Sequence, residues 1–355
     1  MNKSGKTAII IVNWNGWEDT VRCIDASLNM DEFTGSIFVC DNASTNNSFE
    51  KIKAWAHGEL EVVQDMRFEN VTQTIGLCSK TVNCIAGDES YIREHINTNG
   101  ILSHAVYLIK SYINGGFSYG NNTAIKLAML DSNIDIFWML NSDTVPANNA
   151  LIELEKQCAG KSYPLLSGSI LCEYWDPDTI QSVGAVKPKF PISFFKTILG
   201  KSYFQGCKFA EIELSDKFTV YYPLGASMII NRSYLANYGL LEERFFLFYE
   251  ELDLALRCNP DNIFICTKSI VYHKGGGSTG QSYHKIKRHA FSDYHGIRSR
   301  WILAKKLGIF QVMATFLLTL NSFFDRLFAL EFLIALNVVK ASLDGLNVKL
   351  GNTKE

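Results

Sequence analysis

Short apolar runs separated by helix-like stretches dominate the first half of the chain. Residues 8–12, 37–40 and 134–140 are almost entirely apolar, whereas Trp17–Leu28 and residues 146–158 have helical patterns. Apolar strands without polar alternation, joined by helices, are typical of a parallel sheet that is covered on both faces. The pattern therefore predicts an α/β fold with a Rossmann-like mixed sheet flanked by helices.

Polar residues follow each of these apolar runs. Asn13 and Asn15 follow the first, Asp41 and Asn42 the second, and Asn141-Ser142-Asp143 the third. In open α/β sheets, ligands bind beyond the carboxyl ends of the strands. We expect these residues to converge on one edge of the sheet, although Asp41 to Thr45 also fits a helix N-cap and an Asn-x-Asp turn is often only an Asx-turn.

A glycine-rich turn at residues 114–122 leads into a helical pattern from Thr123 to Leu130. Backbone amides of such a turn, at a helix N-terminus, can face phosphate oxygens. The turn contains Gly116, Phe117 and Asn121. It lacks the G-x-x-x-x-G-K-[ST] pattern, which argues against an ATP-hydrolysing P-loop.

The second half adds strand-like runs at residues 221–230 and Ile263–His273, with an acidic helix predicted between them at residues 245–258. This helix contains Glu250, Glu251 and Asp253. Neighbouring carboxylates raise one another's proton affinity, so one of them can act as a general base. The alternative is an acidic first helical turn that the helix dipole stabilises.

His273 ends the last strand-like run and precedes the glycine-rich residues 274–280. A neutral imidazole at that point can complete a metal site while the glycines allow the loop to close over a ligand. A structural role for a lone histidine at a strand end is the alternative. Residues 70–113 show weak periodicity, and we interpret them as an insertion or a variable helix-loop segment without an assigned role.

Composition changes after about residue 283. Residues 285–306 contain seven lysines and arginines against one acid, Asp293, and an apolar run follows at residues 307–339. This order is typical of helices that lie on an anionic membrane surface. Polar residues interrupt the run, so a membrane span and simple packing or oligomer contact are alternatives. We expect a catalytic domain at 1–282 and a basic, amphipathic helical region at 283–355.

The overall charge excludes some classes of protein. With 355 residues and a formal net charge of −2, the chain gives no general attraction to nucleic acid. Its nine cysteines are scattered without metal-ligand spacing, and the N-terminus lacks the pattern of a secretory signal. We therefore expect a cytoplasmic protein that associates peripherally with the inner face of the cytoplasmic membrane.

Asp143 fits the chemistry of reactions in which a diphosphate leaves. Negative charge develops on the leaving diphosphate, and a divalent cation such as Mg²⁺ or Mn²⁺ with oxygen ligands stabilises it. Asp143, on a turn after a buried strand, is a candidate ligand for this cation. Asp41 is placed to accept hydrogen bonds from a nucleobase or ribose.

Taken in order, these segments resemble the inverting glycosyltransferase family 2, and within it the bacterial rhamnosyltransferase-like branch that builds surface polysaccharides. The matching stretches lie at residues 11–16, 39–45, 114–122, 140–144, 224–228 and 248–257, and at His273 with the loop after it. Together they cover most of residues 7–300. The resemblance implies a glycosyltransferase A-type fold, a nucleotide-diphosphate sugar donor, and a glycan or lipid-linked oligosaccharide acceptor.

The resemblance also implies roles for individual residues. Asp143 and His273 would bind the cation, and Glu251 would deprotonate the acceptor, with Glu250 and Asp253 as further catalytic candidates. Two positions depart from the usual pattern, because Asn141 replaces the first Asp of an Asp-x-Asp turn and Glu251 stands where many relatives have Asp. The donor-binding candidates are Asn13, Asn15, Asp41, Asn42, Gly116, Phe117, Asn121, Asn141, Ser142, Gly225 and Ala226.

dTDP-rhamnose is the expected donor, with UDP-galactofuranose and other UDP-hexoses as alternatives. Oligomer contact through the C-terminal helices is also possible, and no nucleic-acid partner is expected. Two other classes of protein are alternatives to the transferase. A nucleotidyltransferase would need a basic, glycine-rich loop near the N-terminus, which residues 13–16 do not supply, and a membrane-docked scaffold would retain the fold without binding nucleotide sugar.

Overall fold

A computed structural model describes residues 6–63, 65, 81–187, 202–275 and 290–350. Residues 276–289 lie outside this part, so the predicted glycine loop after Gly275 and the cations at positions 285–288 are not described. The elements of the first half are β1 (Lys6–Asn13), α1 (Trp17–Leu28), β2 (Ser36–Asp41), α2 (Ser48–Ala56), β3 (Asn83–Asp88), α3 (Glu89–Asn99), β4 (Ala105–Lys110), α4 (Gly116–Ala128) and β5 (Ile134–Asn141).

The second half contains short strands followed by the C-terminal helices. Its elements are β6 (Thr144–Pro146), α5 (Ala150–Cys158), β7 (Leu166–Glu173), β8 (Ile180–Ser182), β9 (Lys217–Thr219), β10 (Ser227–Asn231), α6 (Arg232–Tyr238), α7 (Glu250–Arg257), β11 (Ile263–His273), α8 (Ala290–Leu307), α9 (Ile309–Phe328) and α10 (Phe332–Asn347).

All described strands belong to one mixed sheet, in the order β3-β4-β2-β1-β5-β10-β7-β11-β6, with β8 beside β7 and β9 beside β11. The first five strands of this order are mutually parallel. β10 runs antiparallel between β5 and β7, and β11 is parallel to β7. The α/β fold with a mixed sheet flanked by helices, predicted from the apolar runs, is confirmed.

The central strands are buried along almost their whole length. Every residue of β2 is buried, and Ile9, Ile10 and Ile11 of β1 have no exposed surface. The helices α1 and α4 contact β1, and α5 contacts β11. Apolar side chains on both faces of a strand therefore find cover, which explains why these strands have no polar alternation.

Residues 83–110 form more regular structure than their weak periodicity predicted. They contain β3, α3 and β4, and β4 pairs in parallel with β2 inside the sheet. β4 is buried over its first five residues, so its sequence is a short apolar run rather than an alternating one. Interpreting residues 70–113 as a loop-rich segment was therefore wrong for these strands.

Three predicted boundaries also differ from the structure. The strand expected at 221–230 is formed only by β10, and the glycine-rich turn is itself helical, since α4 begins at Gly116. The acidic helix begins at Glu250 rather than at residue 245. Phe248 and Tyr249 have φ angles of 68° and 76°, a left-handed conformation that a right-handed helix cannot include.

The C-terminal helices α8, α9 and α10 pack on one another around a small cluster of Ile297, Trp301, Val338 and Ala341. Gly345 allows the close approach of α10 to α8, because a Cβ there would lie 2.6 Å from the Arg298 carbonyl oxygen. Among the described helices, none is both long and apolar enough to cross a bilayer.

Candidate active site

Strand register places polar residues side by side along the carboxyl edge of the parallel strands. Asp88 pairs with Lys110, Lys110 with Asp41, and Asp41 with Asn13. On the other side of β1, Val12 pairs with Asn141. The predicted convergence of these strand ends follows directly from the parallel pairing.

Asn13 and Asp41 form the buried centre of this edge. Asn13 Nδ2 donates to Asp41 Oδ1 at 2.6 Å, and Asn13 Oδ1 accepts from the Thr20 hydroxyl at 2.8 Å. The Ser44 hydroxyl donates to the same Asp41 oxygen at 2.6 Å, and its backbone amide lies 3.3 Å from Asp41 Oδ2. These hydrogen bonds hold the Asp41 side chain in place and orient the loop after β2.

Asn15 and Asn42 hold the two loops together at the surface of this edge. Asn15 has a φ of 57° and accepts from the Thr45 amide at 2.8 Å, while its own amide donates to the Ser44 hydroxyl. Asn42 Nδ2 donates to the Gly116 carbonyl at 2.9 Å. Both residues thus have structural bonds at the positions where the sequence predicted donor contacts.

At the start of α4, the amides of Gly115, Gly116 and Phe117 all have protein acceptors. The Gly115 amide donates to Asn42 Oδ1 and the Phe117 amide to the Phe246 carbonyl at 2.8 Å. A Cβ at Gly116 would lie 2.2 Å from that same carbonyl oxygen, which explains the glycine. Asn121 Nδ2 donates to the Phe117 carbonyl. These three amides give no support to the expected phosphate contact, because they already bind protein oxygens; the contact stays a prediction.

Asp143 and His273 meet at the end of β5. Asp143 Oδ1 lies 3.3 Å from His273 Nε2, and both side chains are largely buried. β11 brings the histidine there, since His273 pairs with Thr144 and the Lys274 amide donates to the Asp143 carbonyl. Asn141 Nδ2 lies 3.4 Å from His273 Nε2. Two residues that are 130 positions apart in the chain are therefore neighbours in the fold.

The opposite ring nitrogen of His273 is also bound. His273 Nδ1 lies 2.6 Å from Gln181 Oε1, on β8. An amide oxygen only accepts, so Nδ1 carries a proton, and in the neutral form of the ring Nε2 then has the lone pair. A lone pair that faces a carboxylate oxygen at 3.3 Å is the arrangement expected of two ligands that share a cation. A carboxylate oxygen and an imidazole nitrogen are both common ligands of divalent cations, so the residues present fit such an ion.

The described residues contain no group of three or more histidine, cysteine or acidic side chains arranged around one metal position. Asp143 and His273 would therefore supply two ligands, and further ligands would come from a bound diphosphate or water.

Glu251 approaches the same edge from α7. The Gly225 amide donates to Glu251 Oε1 at 3.0 Å, and a Cβ at Gly225 would lie 2.7 Å from that oxygen. The neighbouring Ala226 carbonyl accepts from the Asn141 amide at 3.1 Å. Because Ser227 pairs with Leu140 in antiparallel register, Gly225 lies beside the Asn141-Ser142-Asp143 turn. Burial raises the pKa of the Glu251 carboxyl.

Strained backbone precedes Glu251. The left-handed Phe248 and Tyr249 set the direction in which α7 starts. Such conformations cost about 1–3 kcal/mol each and persist where surrounding contacts hold them, often at functional sites. Helix α8 supplies these contacts, since the Ser299 hydroxyl donates to the Leu247 carbonyl and Arg300 Nε to the Tyr249 hydroxyl.

An aromatic cluster joins α8 to the other loops of the site. Phe291 stacks on Trp14 at 5.8 Å between ring centroids, and His295 stacks on Phe246 at 4.2 Å. Burial, with the nearby Arg298, lowers the pKa of His295 to about 4, so this imidazole is neutral. The first C-terminal helix is therefore part of the frame of the site.

The other two acids of the predicted cluster have different surroundings. Asp253 binds Lys306 of α8, and Arg257 Nη2 lies 3.1 Å from its Oδ2, so it forms a buried structural ion pair. The expectation that Asp253 is catalytic is not supported, because its charge is already neutralised by two cations. Glu250 is 4% exposed, and its Oε2 has no hydrogen-bond partner among the described residues. Burial and the neighbouring Glu251 hold the pKa of Glu250 well above its usual range.

A cleft of about 280 Å³ opens beside Asp143. Its walls are residues 15–19, together with Ser142 and Asp143. Sequence reasoning missed Trp17 and Asp19 here, since both fit an ordinary helix start. It also missed Lys274, which donates to Asp19 at 2.7 Å, and Gln181, which lies on a three-residue strand without a pattern of its own.

Comparisons with known proteins support the fold. No family model matches the chain, and no curated protein matches it. A crystal structure of GalNAc-T7 with UDP, GalNAc and Mn²⁺ matches with a TM-score of 0.53 and 10% identity, covering 86% of this chain and 48% of the other. This chain thus spans about half the length of that protein.

Two further solved structures are similar at lower scores. The mannosyltransferase PcManGT from Pyrobaculum calidifontis, in complex with GDP-Man and Mn²⁺, has a TM-score of 0.46 and 11% identity over 97% of this chain and 87% of the other. TarS from S. aureus has 0.39 and 12%, over 82% and 42%. The likeness to GalNAc-T7, together with the strand order and the edge described above, gives this chain a glycosyltransferase A-type fold.

Proposed function

We propose that this protein is a metal-dependent, inverting glycosyltransferase that moves a sugar from a nucleoside-diphosphate donor to an acceptor hydroxyl. One observation carries the proposal. The facing pair of Asp143 and His273 and the half-buried Glu251 lie beside the same three-residue turn at the carboxyl edge of the sheet. A cation site and a base so close together are what displacement of a diphosphate by a hydroxyl requires.

Asp143 and His273 would hold the cation, with Mn²⁺ or Mg²⁺ as the candidates. When bound, such an ion stabilises the charge that develops on the departing diphosphate. Asp143 offers a carboxylate oxygen, and His273 offers Nε2 because Nδ1 is already bonded to Gln181. Asn141 replaces a second carboxylate and keeps the site less negative, which reduces repulsion of an anionic donor.

Glu251 is proposed as the general base. Its Oε1 is fixed by the Gly225 amide, and burial increases its affinity for a proton. A base of raised pKa transfers a proton more readily from an alcohol than an exposed carboxylate does. Inversion follows if the acceptor hydroxyl, held by Glu251, attacks the face of the sugar opposite the diphosphate. Gly225 and Ala226 then border the sugar.

Direct donor contacts of Asn13, Asn15, Asp41 and Asn42 have less support, because each side chain already has a protein partner. The pairs are Asn13 with Asp41, Asn15 with the Thr45 amide, and Asn42 with the Gly116 carbonyl. We propose instead that Asp41 shapes the nucleoside site through Ser44 and Asn13. For the sugar, dTDP-rhamnose remains the proposed donor on the family resemblance. UDP-galactofuranose and other UDP-hexoses are the alternatives.

A donor panel tests the proposal. Release of nucleoside diphosphate would be measured from dTDP-rhamnose, UDP-hexoses and GDP-mannose, with Mn²⁺, with Mg²⁺ and with excess chelator. We expect turnover with one donor class and a divalent cation, and loss of turnover in Asp143→Ala. Full activity of Asp143→Ala, or of the wild type in chelator, contradicts the metal role. If calorimetry detects no nucleotide-sugar binding, the chain is better explained as a scaffold.

We also propose peripheral contact with the inner face of the cytoplasmic membrane, and a glycan or lipid-linked acceptor there. Exposed apolar side chains on α9 and α10 support this, including Phe310, Phe328 and Leu333, each more than three-quarters exposed. The described cations of α8 support it less than expected, because Lys305 binds the Leu346 and Val348 carbonyls and Lys306 binds Asp253. Self-association through the same helices is the alternative outcome.

A further inference from the structure

We propose that Gln181 is a positioning residue, which fixes the tautomer and the ring direction of His273 so that the Nε2 lone pair points at Asp143. This inference rests on the proposed function, because it assumes that His273 binds a divalent cation. Gln181 belongs to no segment of the family resemblance, and only the three-dimensional structure brings it to the site.

A β-bulge places Gln181. Strand β8 pairs with β7 at Leu171↔Ser182 and at Cys172↔Ile180, so Gln181 is the extra residue between the two pairs. Bulges re-aim a side chain and are frequent beside active sites. Gln181 is only 9% exposed. In regular antiparallel pairing the Gln181 side chain would point to the other face of the sheet. The bulge turns it toward the imidazole of His273, where it is buried.

The orientation of the Gln181 amide follows from its neighbours. Gln181 Nε2 lies 3.2 Å from Glu173 Oε2 and 3.1 Å from the His273 carbonyl oxygen. Both oxygens are acceptors, so the amide nitrogen belongs on that side and Oε1 belongs on the side of His273. The 2.6 Å contact between Oε1 and His273 Nδ1 then requires a proton on Nδ1.

Gln181 bonds both the backbone and the ring of His273. Its amide nitrogen contacts the backbone of His273 while its amide oxygen contacts the ring. Glu173, which pairs with His273 in the β7–β11 register, anchors the other hydrogen of the amide. The ring is thus held against rotation from the side opposite Asp143. Without Gln181, the proton could sit on Nε2, and Nε2–H would donate to Asp143 instead of leaving a lone pair for a metal.

Partners of this kind strongly affect metal affinity. Loss of the group that hydrogen-bonds the second nitrogen of a metal-binding histidine typically costs about 10- to 100-fold in affinity or activity. We therefore expect Gln181→Met, which keeps length but removes the acceptor, to weaken Mn²⁺ binding by about 10-fold or more. The melting temperature is expected to change much less than after loss of a core residue.

Two measurements on the full chain test the inference. Mn²⁺ affinity would be measured from the signal of free Mn²⁺ in electron paramagnetic resonance. The tautomer of His273 would be read by nitrogen NMR of histidine-labelled, metal-free protein, assigned by comparison with His273→Ala. In the wild type we expect protonated Nδ1, and in Gln181→Met a mixture or the Nε2–H form.

A double variant that exchanges the side chains of Gln181 and Glu173 tests whether the effect can be rescued. Gln181→Glu with Glu173→Gln restores an acceptor opposite Nδ1 and a donor opposite the new carboxylate, so it should recover the Nδ1–H tautomer. Recovery of the Mn²⁺ affinity should be partial, because the His273 carbonyl loses its amide donor. Gln157→Met is the matched control, since Gln157 donates to the Asp216 carbonyl on another part of the chain. The control should leave both measurements unchanged.

The outcomes separate the two proposals. If Gln181→Met keeps the Nδ1–H tautomer of the wild type, the positioning role is overturned, whatever the protein binds. If His273→Ala binds Mn²⁺ as tightly as the wild type, the metal role of His273 fails, and the tautomer measurement still decides whether Gln181 orients the ring.

Discussion

The candidate site buries polar side chains, and the C-terminal helices expose apolar ones. Each is the opposite of what is usual in a folded protein. We call the first region the strand-end site, made of Asn13, Asp41, residues 141–143, Gly225, Glu251 and His273. The second is the C-terminal apolar face, made of the exposed apolar residues of α9 and α10. The strand-end site buries polar groups, whereas the apolar face exposes large hydrophobic ones. Both arrangements are costly in an isolated fold, so both indicate function.

The two regions differ in how their groups are satisfied. At the strand-end site, buried Asn13 and Asp41 bind each other and the loops around them. On the apolar face, Phe310 is 77% exposed and Leu333 80% exposed. A polar site can be completed within the chain by hydrogen bonds, whereas an apolar face needs a separate surface to cover it. Helix α8 joins them, since it contacts both the loop before Glu251 and α10.

The largest effect is expected for Glu251→Gln, which removes the proposed base from the strand-end site without changing its size. Loss of a general base lowers the turnover number by about 10²- to 10⁴-fold. Donor binding, measured by calorimetry, should persist. The exposed Glu213 offers a control as Glu213→Gln. Unchanged turnover of Glu251→Gln would remove this residue as the base.

The next effect concerns stability rather than chemistry. Asp253→Asn leaves Lys306 and Arg257 without their shared carboxylate, and breaking a buried pair from one side costs about 3 kcal/mol. We expect the free energy of unfolding in urea to fall by that amount, while the folded protein keeps most of its turnover. Asp261→Asn, at an exposed position, is the control. A full loss of turnover in stable Asp253→Asn would restore Asp253 as a catalytic candidate.

A smaller, pH-dependent effect is expected at Glu250. Its pKa in the folded protein lies above the ordinary value of 4.5, so the folded state binds the proton more tightly than the unfolded state. Stability from this group is complete below about pH 4.5 and decreases as the pH rises toward the folded-state pKa. Glu250→Gln should therefore melt at a higher temperature than the wild type at neutral pH, with little difference at pH 4. A difference in melting temperature between Glu250→Gln and the wild type that stays the same from pH 4 to neutral pH would contradict this prediction.

The smallest effect on stability, with the clearest effect on binding, is expected on the apolar face. Phe310→Ser with Leu333→Ser should change the free energy of unfolding by only about 0.5 kcal/mol, because both side chains are largely exposed. The fraction of the protein that sediments with anionic vesicles should nevertheless decrease strongly. Val63→Ser, at another exposed apolar position, should leave it unchanged. If the variant alters only the oligomeric state, the face is an interface between copies.

Particular elements show how far sequence reasoning reached. Strands β1, β2 and β5 were predicted because a strand buried on both faces is apolar throughout, and the positions of Asn13, Asp41 and Asp143 followed from where those runs end. β4 has the same kind of apolar pattern but was not predicted, because the residues around it, within 70–113, show only weak periodicity. The structural role of Asp253 was not predicted either, since its partner Lys306 lies 53 residues further along the chain.

The sequence by itself determined the α/β fold, the edge at which the polar residues gather and the candidate residues Asp143, Glu251 and His273. These depend on local patterns, which the chain carries at single positions and short spacings. Only the tertiary structure decided that the first amides at the start of α4 are already bonded, that Asp253 pairs with Lys306 and Arg257, and that a bulge turns Gln181 toward His273. Hydrogen bonds between distant segments depend on strand register, and a linear sequence does not state the register.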